Sequence, residues 1–264
     1  MRTPHSEVHP NSFIRERRVQ DSANTHVIAE LREKIDRIAG GSATRRGHLP
    51  FGVPDIDRRL PGGGLSLGST HEIAGGGADA VAGAVSALFT AGIVARTSGP
   101  VVWCLTRTDL FAPGLQQAGL DLNRVIFVES DSEEGVLDSA ETALRFGGIA
   151  AVVAEVVRLP MIASRRMQLA AEQTGTMGLI IRRWRRQSEA TDYGQPTASS
   201  TRWRVSPMPS EELPVPGVGR PRWMVELLRA RAGESFDVEV GACDGNGRMA
   251  TIPPSGAPKR RMAQ

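Results

Sequence analysis

The sequence predicts an α/β fold: a mostly parallel twisted sheet flanked by helices and extended by antiparallel strands toward the C-terminal end. Three observations carry this reading. Short apolar runs of strand length, VVWCL, IAAVVAEVV and MGLIIRRW, alternate with segments of helical period, the pattern of βαβ units whose strands are buried on both faces. A glycine-rich turn joins the run THEIAG to the alanine-rich stretch ADAVAGAVSALFTAGIVAR. After residue 186 the alternation ends, and WMVELLRAR and ESFDVEVGACD follow, separated by turn residues as in a hairpin.

Composition narrows the function classes. The chain has 264 residues, 40% of them hydrophobic, which suits one domain plus tails and is long enough to bury a core without disulfides or metals. No run approaches the roughly 18 apolar residues of a membrane span, and the N-terminus MRTPHSEVHPNSFIRERR has no apolar signal region. A cytoplasmic protein with no membrane association is expected. Cys104 and Cys243 lack metal-ligand or redox spacing, and His5, His9, His26, His48 and His71 have no nucleophile or carboxylate at diagnostic distance. Neither a metal site nor a catalytic triad is expected.

The elements follow in order. Residues 1–25 are polar, with Pro4 and Pro10, and read as a disordered arm. Thr25 can cap an amphipathic helix over 26–40, whose stripe Val27, Leu31, Ile35 and Ile38 ends at Gly40 and Gly41. That stripe either packs on its own domain or docks on a neighbouring chain. The core spans 48–186, beginning with a turn-rich stretch before the strand THEIAG. An Arg-rich extension and C-terminal hairpin occupy 187–250, and 251–264 reads as a disordered tail.

This order of elements, with LPFGVPDIDRRLPGGGLSLGSTHEIAG, AGLDLNRVIFVES and GRPRWMVELLRARAG, resembles the RecA-like core and, more closely, the ImuA family of damage-inducible mutagenesis proteins, over roughly residues 26–250. The resemblance implies a non-catalytic accessory of DNA-damage-induced mutagenesis. It would work beside an ImuB-like inactive Y-family polymerase homologue and an error-prone DnaE-type polymerase in translesion synthesis. A SulA-type cell-division inhibitor, which shares a similar degenerate core, is the alternative. A DNA-dependent ATPase or recombinase is the third reading.

The phosphate loop separates these readings. A working loop reads GxxxxGK[ST]: backbone N–H groups cradle the phosphates, the lysine meets the β and γ groups, and the hydroxyl holds magnesium. With Gly75 first and Gly76 and Gly77 following, the second glycine, lysine and hydroxyl positions are Ala80, Val81 and Ala82, and Asp79 adds a negative charge. Each lost charge-assisted hydrogen bond costs about 1.5–3 kcal/mol. No bound cofactor is therefore expected. After VVWCL, where recombinases place a water-activating glutamate, stand Thr106, Arg107 and Thr108; Glu155 takes the place of the magnesium-binding aspartate.

Charge points to a different surface. Residues 158–232 carry 13 basic and 6 acidic side chains, and the excess centres on two segments: Arg182, Arg183, Trp184, Arg185 and Arg186, then Arg202, Trp203 and Arg204. They flank a loop that corresponds by resemblance to a DNA-binding loop but holds Glu189 and Asp192 and no basic residue. Three roles are open for these arginines and tryptophans: structural ion pairing, a protein-partner surface, or contact with single-stranded DNA.

Overall fold

The computed structural model describes residues 47–77, 79–184, 189–190 and 193–252, with backbone alone at 79 and 80. The expected arm, the 26–40 helix with Val27, Leu31, Ile35 and Ile38, and Arg185 and Arg186 lie outside the described residues. Thr251, expected in the tail, instead belongs to a strand.

Strands β1 (His48–Leu49) and β2 (Leu65–Ser66) form a small antiparallel pair around helix α1 (Pro54–Asp57). Asp57 holds this entry segment by accepting from the Phe51 and Gly52 N–H groups at 2.7 and 2.8 Å. Then follow β3 (Thr70–Gly75), α2 (Asp79–Ala95), β4 (Val101–Leu105), α3 (Ala112–Gln117), β5 (Val125–Glu129), α4 (Glu133–Phe146), β6 (Ala151–Val156), α5 (Met161–Thr174) and β7 (Met177–Arg182). The remaining strands are β8 (Thr201–Met208), β9 (Arg222–Ala230), β10 (Phe236–Gly241) and β11 (Ala250–Thr251).

Nine strands make one sheet in the order β11-β10-β9-β8-β3-β7-β6-β4-β5. From β8 to β5 all neighbours are parallel, and β9, β10 and β11 add in antiparallel fashion. The parallel part needs cover on both faces because its crossovers are helices. One face buries Phe51, Phe89, Trp103, Leu179, Trp203, Trp223 and their neighbours. The other packs Val102, Val152 and Ile180 against Val136, Leu144 and Met167 of α4 and α5.

Local chemistry fixes the helix ends. Ser132 caps α4 by accepting from the Gly135 N–H at 3.2 Å, and Glu133 and Glu134 lie in its first turn, where the positive end of the helix dipole favours acids. Helix α5 ends at Gly175 with φ 79°, a left-handed cap that glycine adopts without strain. Within α2, a side chain at Gly92 would stand 2.2 Å from the Cys243 sulfur, so the segment after β10 can lie directly against the helix.

The central strand β3 is buried throughout although Thr70, His71 and Glu72 are polar. A buried polar group needs partners. Thr70 donates to Gln168 Oε1 of α5 through both its N–H (2.9 Å) and its hydroxyl (2.7 Å). His71 Nε2–H donates to the Ser66 carbonyl at 3.0 Å, and its Nδ1 accepts from the Thr201 hydroxyl at 2.8 Å, which itself accepts from the Trp203 indole N–H at 2.7 Å.

That chain of donors works only for neutral imidazole. Burial pushes the His71 pKa down from 6.5 to about 4, the Ser66 hydrogen bond opposing and nearby His48 reinforcing the fall. An unfolded histidine takes up its proton below about pH 6.5, while the folded one resists until about pH 4. The stability held above pH 6.5 is therefore lost as pH falls through this window. Urea denaturation should show about 2–3 kcal/mol less stability at pH 4.5 than at pH 7 from this group, an increment missing from His71→Gln.

Candidate functional site

In open parallel sheets, ligand sites lie beyond the C-terminal ends of the strands. Here that edge gathers the loop after β3, Thr106 and Arg107 after β4, Glu155 on β6, and Arg182 and Arg183 at the end of β7.

The loop after β3 is short, since α2 already begins at Asp79. Gly75 is forced by contact: a Cβ there would meet the Ala82 carbonyl oxygen at 2.2 Å. The Gly76 N–H, a candidate for cradling an anion, donates instead to the Val205 carbonyl of β8 at 2.8 Å. Val81 is 56% exposed and Ala82 is buried in α2. Between Gly75, Gly83, Arg182 and Trp184 the cleft measures only about 10 Å³, at most one water's worth. These groups do not fit a magnesium nucleotide: positions 81 and 82 carry neither a cation nor a metal-binding hydroxyl, the arginines that line the cleft, Arg182 and Arg183, are already paired with Glu72, Glu155 and Asp109, and there is little room.

Glu155 is engaged from two sides. Its Oε1 accepts from the Trp103 indole at 2.7 Å and its Oε2 from Arg183 at 2.9 Å. Arg183 also grips Asp109 with two hydrogen bonds of 2.8 and 3.1 Å. Burial raises the Glu155 carboxyl above its ordinary value, against the pull of Arg183 and Trp103. The Arg183 hydrogen bond lowers Asp109. Although burial opposes its charge, Arg183 is held well above the usual guanidinium range by the two carboxylates. A built-in guanidinium thus neutralises the acid at the position where a magnesium-binding carboxylate is expected.

A second ionic group lies inside the sheet. Glu72 accepts from Arg182 at 3.1 Å and from Arg202 at 3.2 Å, all three buried, and the Thr197 hydroxyl donates to the same carboxylate. Arg182 also donates to the Val157 carbonyl through Nε and Nη2, at 3.1 and 2.8 Å. Tyr193 covers the pair, its ring centroid 5.7 Å from the Arg182 guanidinium and 5.2 Å from that of Arg202, and its hydroxyl donates to the Trp203 carbonyl. Trp184 packs on Tyr193 at 5.4 Å.

The Arg–Trp segments therefore divide. Arg182 and Arg202 are interior ions, and Trp203 is core, with ring centroids 5.3, 6.5 and 6.0 Å from Phe51, Phe89 and Phe236. None of these three offers a surface contact to DNA or a partner, which corrects that expectation: Arg202 and Trp203 face opposite ways on β8, and both sides of the strand are covered there. Arg183 is half-buried between two acids. Arg204 lies at the surface, paired with Glu226 across β8 and β9 at 2.6 and 2.5 Å, and Trp184 is half-buried.

Comparison with known proteins sets this geometry in a family. Protein ImuA of Caulobacter vibrioides (strain NA1000 / CB15N) is 42% identical over 203 residues, 73% of this chain and 82% of that protein. Protein ImuA of strain ATCC 19089 / CIP 103742 / CB 15 matches with the same figures. The chain belongs to the ImuA family. Among solved structures, the RadB recombinase superposes with a TM-score of 0.50 at 16% identity, covering 78% of this chain and all of that one. The fold is RecA-like. No protein-family model matches the chain.

Three residues that organise the site in this ImuA-family chain escaped the sequence reading: Glu72, Asp109 and Thr197. Glu72 carried a signal, a lone carboxylate inside the otherwise strand-like THEIAG, which demands a cationic partner if the strand is central. The cysteines offer no reactive thiol, because burial pushes both Cys104 and Cys243 up to about 12.

Removing one member of a fully buried ionic group leaves the others uncompensated. Glu72→Ala should cost about 3–5 kcal/mol in chemical denaturation. Arg204→Ala, which removes a surface pair, should cost less than about 1 kcal/mol in the same assay.

Proposed function

We propose that this protein is a non-catalytic RecA-like accessory of DNA-damage-induced mutagenesis, supporting error-prone translesion synthesis through protein contacts. Kinship with the ImuA proteins supports the biological setting. The observation that carries the non-catalytic part is the Arg183 bridge between Glu155 and Asp109, beside a loop with Val81 and Ala82 at the lysine and hydroxyl positions. A carboxylate already paired with a fixed guanidinium has little reason to recruit magnesium. The short loop spends its Gly76 N–H on the sheet.

The expected partners are an ImuB-like inactive Y-family polymerase homologue and an error-prone DnaE-type polymerase, in the cytoplasm. Burial of Arg182 and Arg202 takes two cations away from any phosphate contact, which needs accessible charge.

Purified protein should hydrolyse no ATP above background and show no magnesium-dependent thermal shift with millimolar ATP. A ligand at 100 times its dissociation constant would stabilise by about 2.7 kcal/mol, so binding of ordinary strength would be visible. A reproducible shift with Mg-ATP would overturn the non-catalytic reading. Failure to co-purify with either polymerase protein would overturn the accessory role.

A further inference from the structure

Strand β5 ends the parallel side of the sheet, and among the described residues nothing pairs with its outer edge. Such edges are ordinarily blunted by charge, proline or a covering element. This one is apolar on both faces. Phe127, 43% exposed, leans toward Trp103 at 6.3 Å on the face shared with α2 and α3. Ile126, 57% exposed, lies on the opposite face, opposite Val102 in the strand register and on the same side as α4.

The direction of the free backbone groups follows from one bond. The Ser130 N–H donates inward to the Leu105 carbonyl at 3.0 Å. Because backbone groups alternate sides along a strand, the N–H and C=O of Val125, Phe127 and Glu129 point out of the sheet. These three positions are symmetric about Phe127. The two ends carry opposite charge: Arg124, whose guanidinium donates to the Val94, Thr97 and Gly99 carbonyls of its own chain, precedes the strand, while Glu129 and Asp131 close it. An antiparallel copy would lay the basic end of one strand beside the acidic end of the other.

We propose that β5 is a self-complementary docking edge that joins two copies of this chain across a two-fold axis through Phe127. In that register Phe127 meets its counterpart as a hydrogen-bonded pair, Val125 and Glu129 pair reciprocally, and Ile126 lies opposite Val128. The pairing satisfies outward backbone groups on both copies and covers Ile126 and Phe127. Two identical edges related by a two-fold axis form a closed, isologous contact, so assembly stops at the dimer. The contact involves neither the phosphate loop nor the Arg183 bridge and stands apart from the proposed function.

Register gives the test. Facing residues of a hydrogen-bonded antiparallel pair have Cα atoms about 5.5 Å apart, inside the disulfide window of roughly 4.4–6.8 Å. Glu129 and its counterpart would be separated by four residues of strand, roughly 13 Å. In full-length protein under mild oxidation, Phe127→Cys should form a covalent dimer, whereas Glu129→Cys and the wild type should not. Sedimentation of wild type should show the mass rising with concentration toward twice 28.3 kDa. Phe127→Lys, which sets two cations face to face, should remain monomeric; Ile126→Lys, on the other face, serves if the first variant fails to fold. A wild type monomeric at every attainable concentration overturns the proposal. So does a dimer that survives the folded lysine variants, or one in which Glu129→Cys cross-links as readily as Phe127→Cys.

Discussion

The buried carboxylate of Glu72 is the constraint on which the rest depends. It sits on the middle strand of the sheet and binds one arginine from each side, Arg182 of β7 and Arg202 of β8. An isolated ion at such depth would be expensive, and the attraction of its partners offsets that cost only when the geometry is held. The group thereby ties three parallel strands to one register. It also anchors the segment between β7 and β8, since Thr197 binds the same carboxylate and Tyr193 covers both guanidinium groups.

The edge formed by the C-terminal ends of the parallel strands is organised by ion pairing of the same kind. Arg183, one residue beyond Arg182, turns to the other side of β7 and meets Glu155 and Asp109. Consecutive arginines thus serve two separate ionic groups, because neighbouring residues on a strand face opposite ways. Part of what resembles a basic patch in the sequence, Arg182, Arg183 and Arg202, is an internal scaffold. Acids that a nucleotide-hydrolysing relative would keep for a metal are here matched by protein cations.

The sequence made the fold largely legible, since the apolar runs of β4, β6 and β7 and the helices between them are long and unambiguous. The β9–β10 hairpin was equally plain, because turn residues separate the two runs, but β8, the first strand after residue 186, still pairs in parallel with β3, a placement that only the assembled sheet reveals. The site was less legible. Whether Arg202 faces solvent or the interior depends on the face that β8 turns to α5, and a one-residue change of register reverses it. The irregularity between Arg202 and Trp203 in the pairing with β9 shows how local that choice is. Asp109 lies 74 residues from Arg183, a separation that no local pattern encodes.

The central position of β3 has a consequence for the newly made chain. Glu72 and Arg202 are 130 positions apart, and β3 pairs with no strand that is synthesised before β7. During translation it must wait, unpaired, while β4, β5 and β6 and their helices emerge. A purely aliphatic strand left open for that interval would invite association with other nascent chains. Thr70, His71 and Glu72 keep half of β3 hydrated until its lateral partners arrive, so the polar residues that specify the finished sheet also guard it while it is incomplete.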